Sequence, residues 1–213
     1  MAGFQKEYGV KIVESNGRFN PRAGYEAHPV VEVSWYGARA FARWLGGDLL
    51  TEAQWEKAAK GGQEAPWPWG DVWDKNKANT AERLAGVDEF NSFEMFWEWY
   101  GPYRENTLDK GDYSDTTVAV KGYPPNGYGL YDMAGNAWEW TRSLWGREWG
   151  KADFGYPYNP QDTRREDVQA GDEVRRVLRG GSWFYARGVA RCSVRVGSRP
   201  DDRVVNSGYR VIV

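Results

Sequence analysis

The sequence predicts a single α+β domain, spanning residues 1–213, with two helices, little regular sheet and many loops. Two stretches in the first third of the chain have the hydrophobic spacing of helices, and strand-forming residues are confined to three short runs. After residue 63, Trp, Pro, Gly, Asn and Asp recur in short clusters, which is typical of turns and loops. With 41% apolar and 27% charged residues, the composition is that of an ordinary globular protein.

Each helix is predicted from a capping residue and an apolar stripe. Ser34 precedes the first stripe, which is formed by Trp35, Ala38, Phe41, Ala42 and Leu45. Thr51 and Gln54 have the spacing of a capping box at the start of the second helix. Paired glycines follow both runs and are expected to end the helices.

Further along the chain, aromatic residues at helical spacing between Phe93 and Tyr100 indicate a short packed helix rather than a binding stripe. Strands are predicted at Val30–Val33, Val174–Leu178 and Tyr209–Val213.

The composition excludes several classes of function. Cys192 is the only cysteine, so an internal disulfide and a cysteine-based zinc cluster are ruled out. His28 is the only histidine, which leaves little room for histidine-based metal or triad chemistry. The net charge of −2 gives no overall attraction to nucleic acid or anionic membranes, so we expect neither as a partner. The first residues lack the apolar core of a signal peptide, so we expect a protein that is cytoplasmic or virion-associated. We also expect a monomer.

The segment after Trp183 has a restricted composition. From Phe184 to Val213 there is no Lys, Glu, Gln, Trp or Met, although these five types supply 46 of the first 183 residues. At that frequency about seven or eight are expected in the last 30 residues. Arg recurs every four residues from Arg187 to Arg203, but the glycines and Pro200 within that run argue against a basic helix.

Several strings together resemble the formylglycine-generating-enzyme (sulfatase-modifying factor) family, in order and at family spacing. They are HPVVEVSWYGARAFARWL, LLTEAQWEKAAKGG, WPWGD, KANT, GYPPNGYGLYDMAGNAWEWT, RVLRGGSW and NSGYRV, which cover about residues 28–213. The resemblance implies an irregular C-type-lectin-like fold. The usual N-terminal part of that fold is missing or reduced to residues 1–27, so the first hairpin of the sheet is in doubt.

The catalytic residues of the family's oxidase are not matched. That enzyme uses two cysteines after the Gly-Gly-Ser element to bind copper, and soft thiolates are what Cu(I) requires. Here the resemblance places Tyr185 at the first position and residues 189–190 near the second. Cys192 aligns instead with a family cysteine that forms a structural disulfide, and Ala59 takes its partner's place. The related sulfoxide-synthase branch needs a histidine-bound iron, which one His cannot provide. We therefore expect no enzyme activity and no copper.

The resemblance also implies structural calcium. A first site maps onto Asp132, the carbonyls of Gly135 and Ala137, and Glu139, and a short loop with two carboxylates suits a hard cation. The alternative is that Asp132 caps a turn and Glu139 pairs with an arginine. A second, weaker site maps onto Asn79, the Thr80 carbonyl, Asp112 and the Ser114 carbonyl.

One subgroup with this fold consists of the variable proteins of diversity-generating retroelements. Their last segment is rewritten at AAC codons, and the resulting codons cannot encode Lys, Glu, Gln, Trp or Met. The absence of these residues after Trp183 matches that pattern and predicts a variable segment at about residues 184–206. The positions expected to vary and to bind ligand are Phe184, Tyr185, Arg187, Gly188, Val189, Val194, Val196, Gly197, Ser198, Arg199, Asp202, Val204, Val205 and Asn206.

The intervening residues are expected to form a fixed, inward-facing scaffold. They are Ala186, Arg191, Cys192, Arg195, Pro200, Asp201, Arg203, Ser207, Gly208, Tyr209 and Arg210.

These observations favour a non-enzymatic ligand-binding protein that displays a diversified C-terminal surface to an unknown protein or cell-surface ligand. Phe184, Tyr185 and Arg187 are expected to be exposed, since aromatic residues and arginine are typical binding hot spots. The alternatives are an oxidase of the formylglycine-generating type and an orphan non-catalytic family member.

Overall fold

The computed structural model describes residues 11–110, 116–156 and 158–213. Four helices lie in this part of the chain: α1 (Trp35–Trp44), α2 (Glu52–Lys60), α3 (Ala81–Ala85) and α4 (Phe93–Asn106). The expectation of two helices is therefore too low. The first two helices are confirmed, the aromatic stretch forms α4, and α3 is a single short turn without an apolar stripe.

The strands in the described residues are short. They are β1 (Ile12–Ser15), β2 (Arg18–Pro21), β3 (Asp48–Leu49), β4 (Trp138–Gly146), β5 (Arg175–Arg179), β6 (Arg195–Ser198), β7 (Ser207–Tyr209) and β8 (Val211–Ile212). Strands β6, β5, β4 and β7 form a four-stranded sheet in that order, with β7 parallel to β4 and the other pairs antiparallel. The β1–β2 hairpin and the β3–β8 pair stand apart from it, so an N-terminal hairpin is present.

The helix ends follow local capping rules. The Ser34 hydroxyl accepts a hydrogen bond from the Gly37 amide, and Thr51 and Gln54 complete the predicted capping box. Helix α2 ends at Gly61, whose φ of 58° is left-handed. A Cβ at that position would lie 2.9 Å from the amide nitrogen of Gly127, so glycine is required there for space as well.

Strand β4 crosses the centre of the sheet, and sequence patterning missed it. Seven of its nine residues are buried, so polar and apolar residues do not alternate as they do in a half-exposed strand. Its polar side chains are satisfied internally, as shown by the Thr141 hydroxyl donating to the Val177 carbonyl at 3.0 Å.

Two of the three predicted strands are present in the structure, and one is not. The run at 174–178 is confirmed as β5, and the run at 209–213 is divided between β7 and β8. The strand predicted at 30–33 is wrong. Glu32 has a φ of 59°, which breaks the extended conformation, and its amide donates to the Val204 carbonyl.

Tryptophans organise the main core between α1 and the sheet. The Trp35 indole N–H donates to the Thr141 carbonyl, and that of Trp140 donates to the Val33 carbonyl, both at 2.9 Å. The buried members of this core cluster are Trp35, Ala38, Ala42, Leu49, Trp138, Trp140 and Leu178. Within the described residues, no helix has the length and apolarity needed to cross a membrane.

Candidate functional site

The segment predicted to vary, residues 184–206, leaves the rest of the fold, here called the frame, at a tightly packed turn. Trp183 is fully buried, and Gly181 just before it has a left-handed φ of 72°. A Cβ on Gly181 would lie 3.0 Å from the Cα of Ala190, so the chain passes closely over itself here. The start of the segment is thus held by backbone packing that tolerates little change.

A buried carboxylate holds the next turn. Glu82 of α3 is fully buried, and its Oε1 accepts a hydrogen bond from the Arg187 amide at 2.8 Å. Its Oε2 accepts from the Thr80 hydroxyl at 2.6 Å, and the Ala81 amide donates to the Tyr185 carbonyl at 3.1 Å. Because these bonds to the segment use only its backbone, they fix its path without specifying its side chains.

Phe184 and Tyr185 are half-buried, so the expectation that they are exposed is wrong. Phe184 meets the ring of Tyr100 edge to face at a centroid distance of 4.8 Å. Tyr185 packs edge to face on Trp138 at 5.8 Å, and burial raises the pKa of its hydroxyl. Arg187 is also half-buried and forms an ion pair with Glu89 at 2.8 Å.

The fourteen positions expected to vary differ in exposure. Gly188, Arg199 and Val204 are exposed. Nine are half-buried, namely Phe184, Tyr185, Arg187, Val189, Val194, Val196, Ser198, Asp202 and Val205. Four of these nine pack against the main core, namely Tyr185, Val189, Val194 and Val196.

The prediction that these positions lie at the surface is wrong for Gly197 and Asn206, which are buried. A Cβ on Gly197 would lie 2.3 Å from Cγ of Trp145, so no larger residue fits without moving that ring. The Asn206 side-chain amide donates to the Ser182 hydroxyl at 3.1 Å, and the backbone carbonyl of Asn206 accepts from the Trp138 backbone amide at 2.8 Å. Both residues belong to the frame.

The residues expected to form the scaffold also differ in burial. Cys192, Pro200, Ser207 and Gly208 are buried as expected, but Arg191, Asp201 and Arg203 are exposed. The segment therefore does not alternate simply between inward scaffold and outward display, because much of it runs in turns rather than in a regular strand.

Arg195 is a charged scaffold residue that points inward. Its guanidinium contacts the fully buried Glu52 at 2.6 Å and donates to the Phe154 carbonyl at 2.6 Å. Glu52 also pairs with the fully buried Arg179 at 3.1 Å. This pairing joins α2, β5 and β6 into one rigid support beneath the segment.

The lone thiol is inaccessible. Cys192 is 1% exposed and lies in a small apolar cluster with Ala59, Leu50, Trp55 and Met133. Burial raises the pKa of the thiol to about 12, although Arg179 opposes the shift. A protonated, buried thiol is a poor nucleophile and a poor metal ligand. Its packing beside Ala59 agrees with the position of the disulfide partner implied by the family resemblance.

At the first expected calcium site, Asp132 and Glu139 have different environments. Asp132 has a left-handed φ of 56°, and its Oδ2 accepts from the Lys121 amide at 2.6 Å. Its Oδ1 is buried and has no hydrogen-bond partner among the described residues. Burial is the main cause of the raised pKa of this carboxyl group. An unpartnered carboxylate oxygen of this kind suits a cation.

Glu139 is already paired, as the alternative prediction states. Its two oxygens accept from Arg210 at 2.8 and 3.1 Å, and Oε2 also accepts from the Trp55 indole at 2.6 Å. A cavity of about 560 Å³ opens beside Asp132, Glu139 and Arg210. Asp132 therefore fits a calcium ligand, whereas Glu139 would have to share its charge between the ion and Arg210.

The second expected calcium site is only partly described, because Asp112 and Ser114 lie outside the described residues. Asn79 is buried, and its Oδ1 accepts from Arg83 at 2.6 Å. The Thr80 carbonyl accepts from the Arg83 amide at 3.1 Å. The described part of this site is thus bonded within the fold. Among residues 11–110, 116–156 and 158–213, no group of three or more His, Cys, Asp or Glu side chains is arranged to hold a metal ion.

Comparison with known proteins identifies the family. The profile of the Sulfatase-modifying factor enzyme 1-like domain matches residues 4–213. The chain belongs to this family. Within the sulfatase-modifying factor family, it is 36% identical to the formylglycine-generating enzyme of Streptomyces coelicolor, over 88% of this chain and 53% of that protein. It is 35% identical to the inactive C-alpha-formylglycine-generating enzyme 2 of Bos taurus, over 85% of this chain and 49% of that protein.

A third relative is a much longer protein. The chain is 35% identical to the serine/threonine-protein kinase pkn1 of Chlamydia pneumoniae, over 93% of this chain but 26% of that protein. The chain thus spans about a quarter to a half of the length of these curated relatives. The family names cover both enzymes and an inactive member, so membership alone does not decide activity.

Solved structures confirm the predicted α+β fold. The fold resembles Treponema denticola variable protein 1 with a TM-score of 0.58 and 21% identity, over 96% of this chain and 76% of that one. It resembles PvdO from Pseudomonas aeruginosa with a TM-score of 0.58 and 23% identity, over 95% and 71% of the two chains.

Sequence reasoning missed the residues that hold the segment from outside it. Glu82, Glu89 and Tyr100 contact the segment at Arg187 and Phe184, more than 80 residues away along the chain. No local pattern distinguishes Glu82 and Glu89 from other acidic residues of the same stretch. Tyr100 alone carried a signal, since its helical spacing indicated a packed position.

Proposed function

We propose that this chain is a non-catalytic ligand-binding domain, in which side chains of the segment at about 184–206 contact a protein or cell-surface ligand. The composition of the segment, which matches that of retroelement variable proteins, is the reason for placing the binding surface there. The structure supports this placement by the way in which the segment is held. Its path is fixed by backbone hydrogen bonds to Glu82 and Ala81 and by the buried pair of Arg195 and Glu52.

The observation that carries the proposal is the state of the only thiol. Copper-dependent oxidation of a substrate cysteine needs soft ligands, and the aligned positions hold Tyr185 and residues 189–190. Cys192 is buried and has a raised pKa. The chain therefore has the family's frame without the thiols on which the family's oxidase relies.

The burial pattern narrows the proposed binding positions. The side chains that can change with little effect on the frame are the exposed ones, Arg199 and Val204, together with the partly exposed Phe184 and Arg187 and the open position Gly188. Gly197 and Asn206 are removed from the proposed surface, since both pack inside the frame. A surface on a rigid frame loses little conformational entropy when it binds, which favours affinity.

Calcium at Asp132 is a second part of the proposal. The unpartnered Oδ1 of Asp132 supports it, and the pairing of Glu139 with Arg210 does not. We propose one calcium ion with a structural role, near the loop that ends in β4. Calcium at the second site remains a prediction from the family resemblance.

Two experiments test the binding function. Sequencing many copies of this locus from a natural population should show variation concentrated at codons for residues 184–206, with a reverse transcriptase gene and a near-copy of the 3′ end close by. Variation spread evenly along the gene, or none at all, would count against a retroelement variable protein.

The second experiment is a display library randomised at Phe184, Arg187, Gly188, Arg199 and Val204. It should give folded binders to several unrelated protein targets. A control library of the same size, randomised at exposed positions of α2 such as Lys57, should yield fewer. Equal yields from the two libraries would contradict the proposed surface.

A further inference from the structure

Helix α4 presents two large aromatic side chains to solvent, one turn apart. Phe93 is 71% exposed and Trp97 is 47% exposed, so the packing predicted from their helical spacing is wrong for these two side chains. Their rings meet edge to face at a centroid distance of 5.6 Å. Contiguous exposed apolar surface marks sites of interaction.

This pair of rings is continuous with the variable segment. Trp97 meets Tyr100 at a centroid distance of 5.2 Å, and Tyr100 meets Phe184 at 4.8 Å. An aromatic path therefore runs from the exposed face of α4 to the first residue of the segment. We call the side chains of Phe93, Glu94, Trp97 and Glu98 the α4 surface.

The charge of this region is one-sided. Between residues 88 and 106 there are five acidic residues and one basic residue, Arg104, which pairs with Asp109. Asp88 and Glu89 are neutralised by ion pairs with Lys75 and Arg187, so the excess negative charge comes from Glu94, Glu98 and Glu105. Glu94 and Glu98 are exposed, and neither forms an ion pair with another described residue. Hydrogen bonding to its own backbone amide and to Ser92 lowers the pKa of Glu94, so this carboxylate stays ionised at neutral pH.

We propose that the α4 surface binds a cationic, apolar peptide segment of a partner protein, one that carries arginine or lysine between apolar residues. This inference rests on the proposed function and adds the chemistry of the partner. Guanidinium and ammonium groups bind over the faces of Trp and Phe and pair with carboxylates, and both features lie on one helix face here. The same carboxylates repel nucleic acid and anionic lipid, so these two classes of partner are excluded as occupants of the α4 surface.

The test uses three labelled peptides of equal length, in which leucine alternates with arginine, glutamine or glutamate. Binding to the intact chain is measured by fluorescence anisotropy. The arginine peptide should bind about 10-fold more tightly than the glutamine peptide, and the glutamate peptide should bind most weakly. Added salt should weaken the arginine peptide most, since its ion pairs are exposed.

Variants locate the binding. Trp97→Ser, and the double change Glu94→Gln with Glu98→Gln, should each weaken the arginine peptide about fivefold or more. Trp44→Ser is the matched control, because Trp44 is a 77% exposed aromatic residue on another helix. Glu105→Gln controls for loss of charge elsewhere on α4. All four variants should keep the wild-type melting temperature, since the changed side chains are exposed.

Equal affinity for the three peptides would overturn the inference, as would an equal loss in the Trp44→Ser control. A dimer in sedimentation that Trp97→Ser dissolves would also overturn it, because a second copy would then cover this face. Failure here is separable from failure of the proposed function. If Trp97→Ser does not change the affinity of binders selected from the randomised segment, and the peptides do not bind, the inference fails while the proposed role of the segment stands.

Discussion

Arg210 and Glu139 form a two-point ion pair between the end of the chain and the centre of the sheet. Nη2 of Arg210 lies 2.8 Å from Oε1 of Glu139, and Nε lies 3.1 Å from Oε2. The carboxylate is the largest cause of the raised pKa of Arg210. Arg210 also donates to the Tyr131 carbonyl at 3.0 Å, which ties the parallel β4–β7 pair to the Asp132 loop. Both contacts agree with the expectation that Arg210 belongs to the inward-facing scaffold.

Replacing Arg210 by Met should lower the free energy of unfolding by about 2–3 kcal/mol, because it leaves a mostly buried carboxylate with one indole partner. Arg210→Lys should recover only part of this, since lysine cannot make both contacts. Urea unfolding gives the values. The loss in the double variant with Glu139→Gln should be smaller than the sum of the two single losses, and a strictly additive result would show that the pair is not coupled.

Calcium should raise the melting temperature of the wild-type chain, and Asp132→Asn should abolish that increase. The pH dependence in chelator follows from the raised pKa of Asp132. A carboxyl group with a raised folded pKa stabilises the fold below its unfolded pKa of about 3.9, and this stability is lost as pH rises through the folded pKa. Without calcium, Asp132→Asn should therefore melt higher than wild type at neutral pH, and the difference should shrink in acid. If chelator does not change the melting temperature of the wild-type chain, the loop at Asp132 binds no calcium and is only a hydrogen-bonded turn.

Cys192 should react slowly with a thiol reagent in the native protein and rapidly after denaturant is added, because its thiol is buried and its pKa is raised to about 12. The rate of labelling with a chromogenic disulfide measures this. As a control, a cysteine placed at the exposed position of Trp44 should label at once in the native protein. Fast native labelling of Cys192 would reopen the question of thiol chemistry.

The purified chain should not convert the cysteine of a sulfatase-motif peptide to formylglycine, with or without copper, because the aligned copper positions lack thiols. Mass spectrometry of the peptide detects the product. A family oxidase assayed in parallel shows that the conditions support turnover. Turnover by this chain that Cys192→Ser abolishes would refute the non-enzymatic proposal.

Within the segment, tolerance to substitution should follow burial. Arg199→Ser and Val204→Ser should change the free energy of unfolding by less than about 0.5 kcal/mol, since both side chains are exposed. Asn206→Ala should cost about 1–3 kcal/mol, because it leaves the Ser182 hydroxyl without its buried donor. Thermal and urea unfolding measure the change in stability of each variant. Equal changes in the free energy of unfolding at exposed and buried positions would contradict the assignment of the buried residues to the frame and of the exposed ones to the binding surface.

How much of the fold was predictable depended on whether the deciding contacts are local. The Ser34 cap and the Thr51–Gln54 capping box join residues three apart, so sequence spacing alone located α1 and α2. Strand β4 could not be found in this way, because burial on both faces removes the alternation that marks a strand. The run at 30–33 is rich in valine, which favours strands, but a left-handed Glu32 bends the chain.

By itself, the sequence determined the family and its α+β frame, the absence of the copper thiols, and the restricted composition after Trp183, because each of these is carried by residue identity and spacing. The tertiary structure alone decided which residues of that segment face solvent. Gly197 is confined by Trp145, and Asn206 by Ser182, each through contacts between residues far apart in the sequence. Glu82 reaches Arg187 across 105 residues. Such contacts exist only once the chain has folded, so local patterns in the sequence do not reveal them.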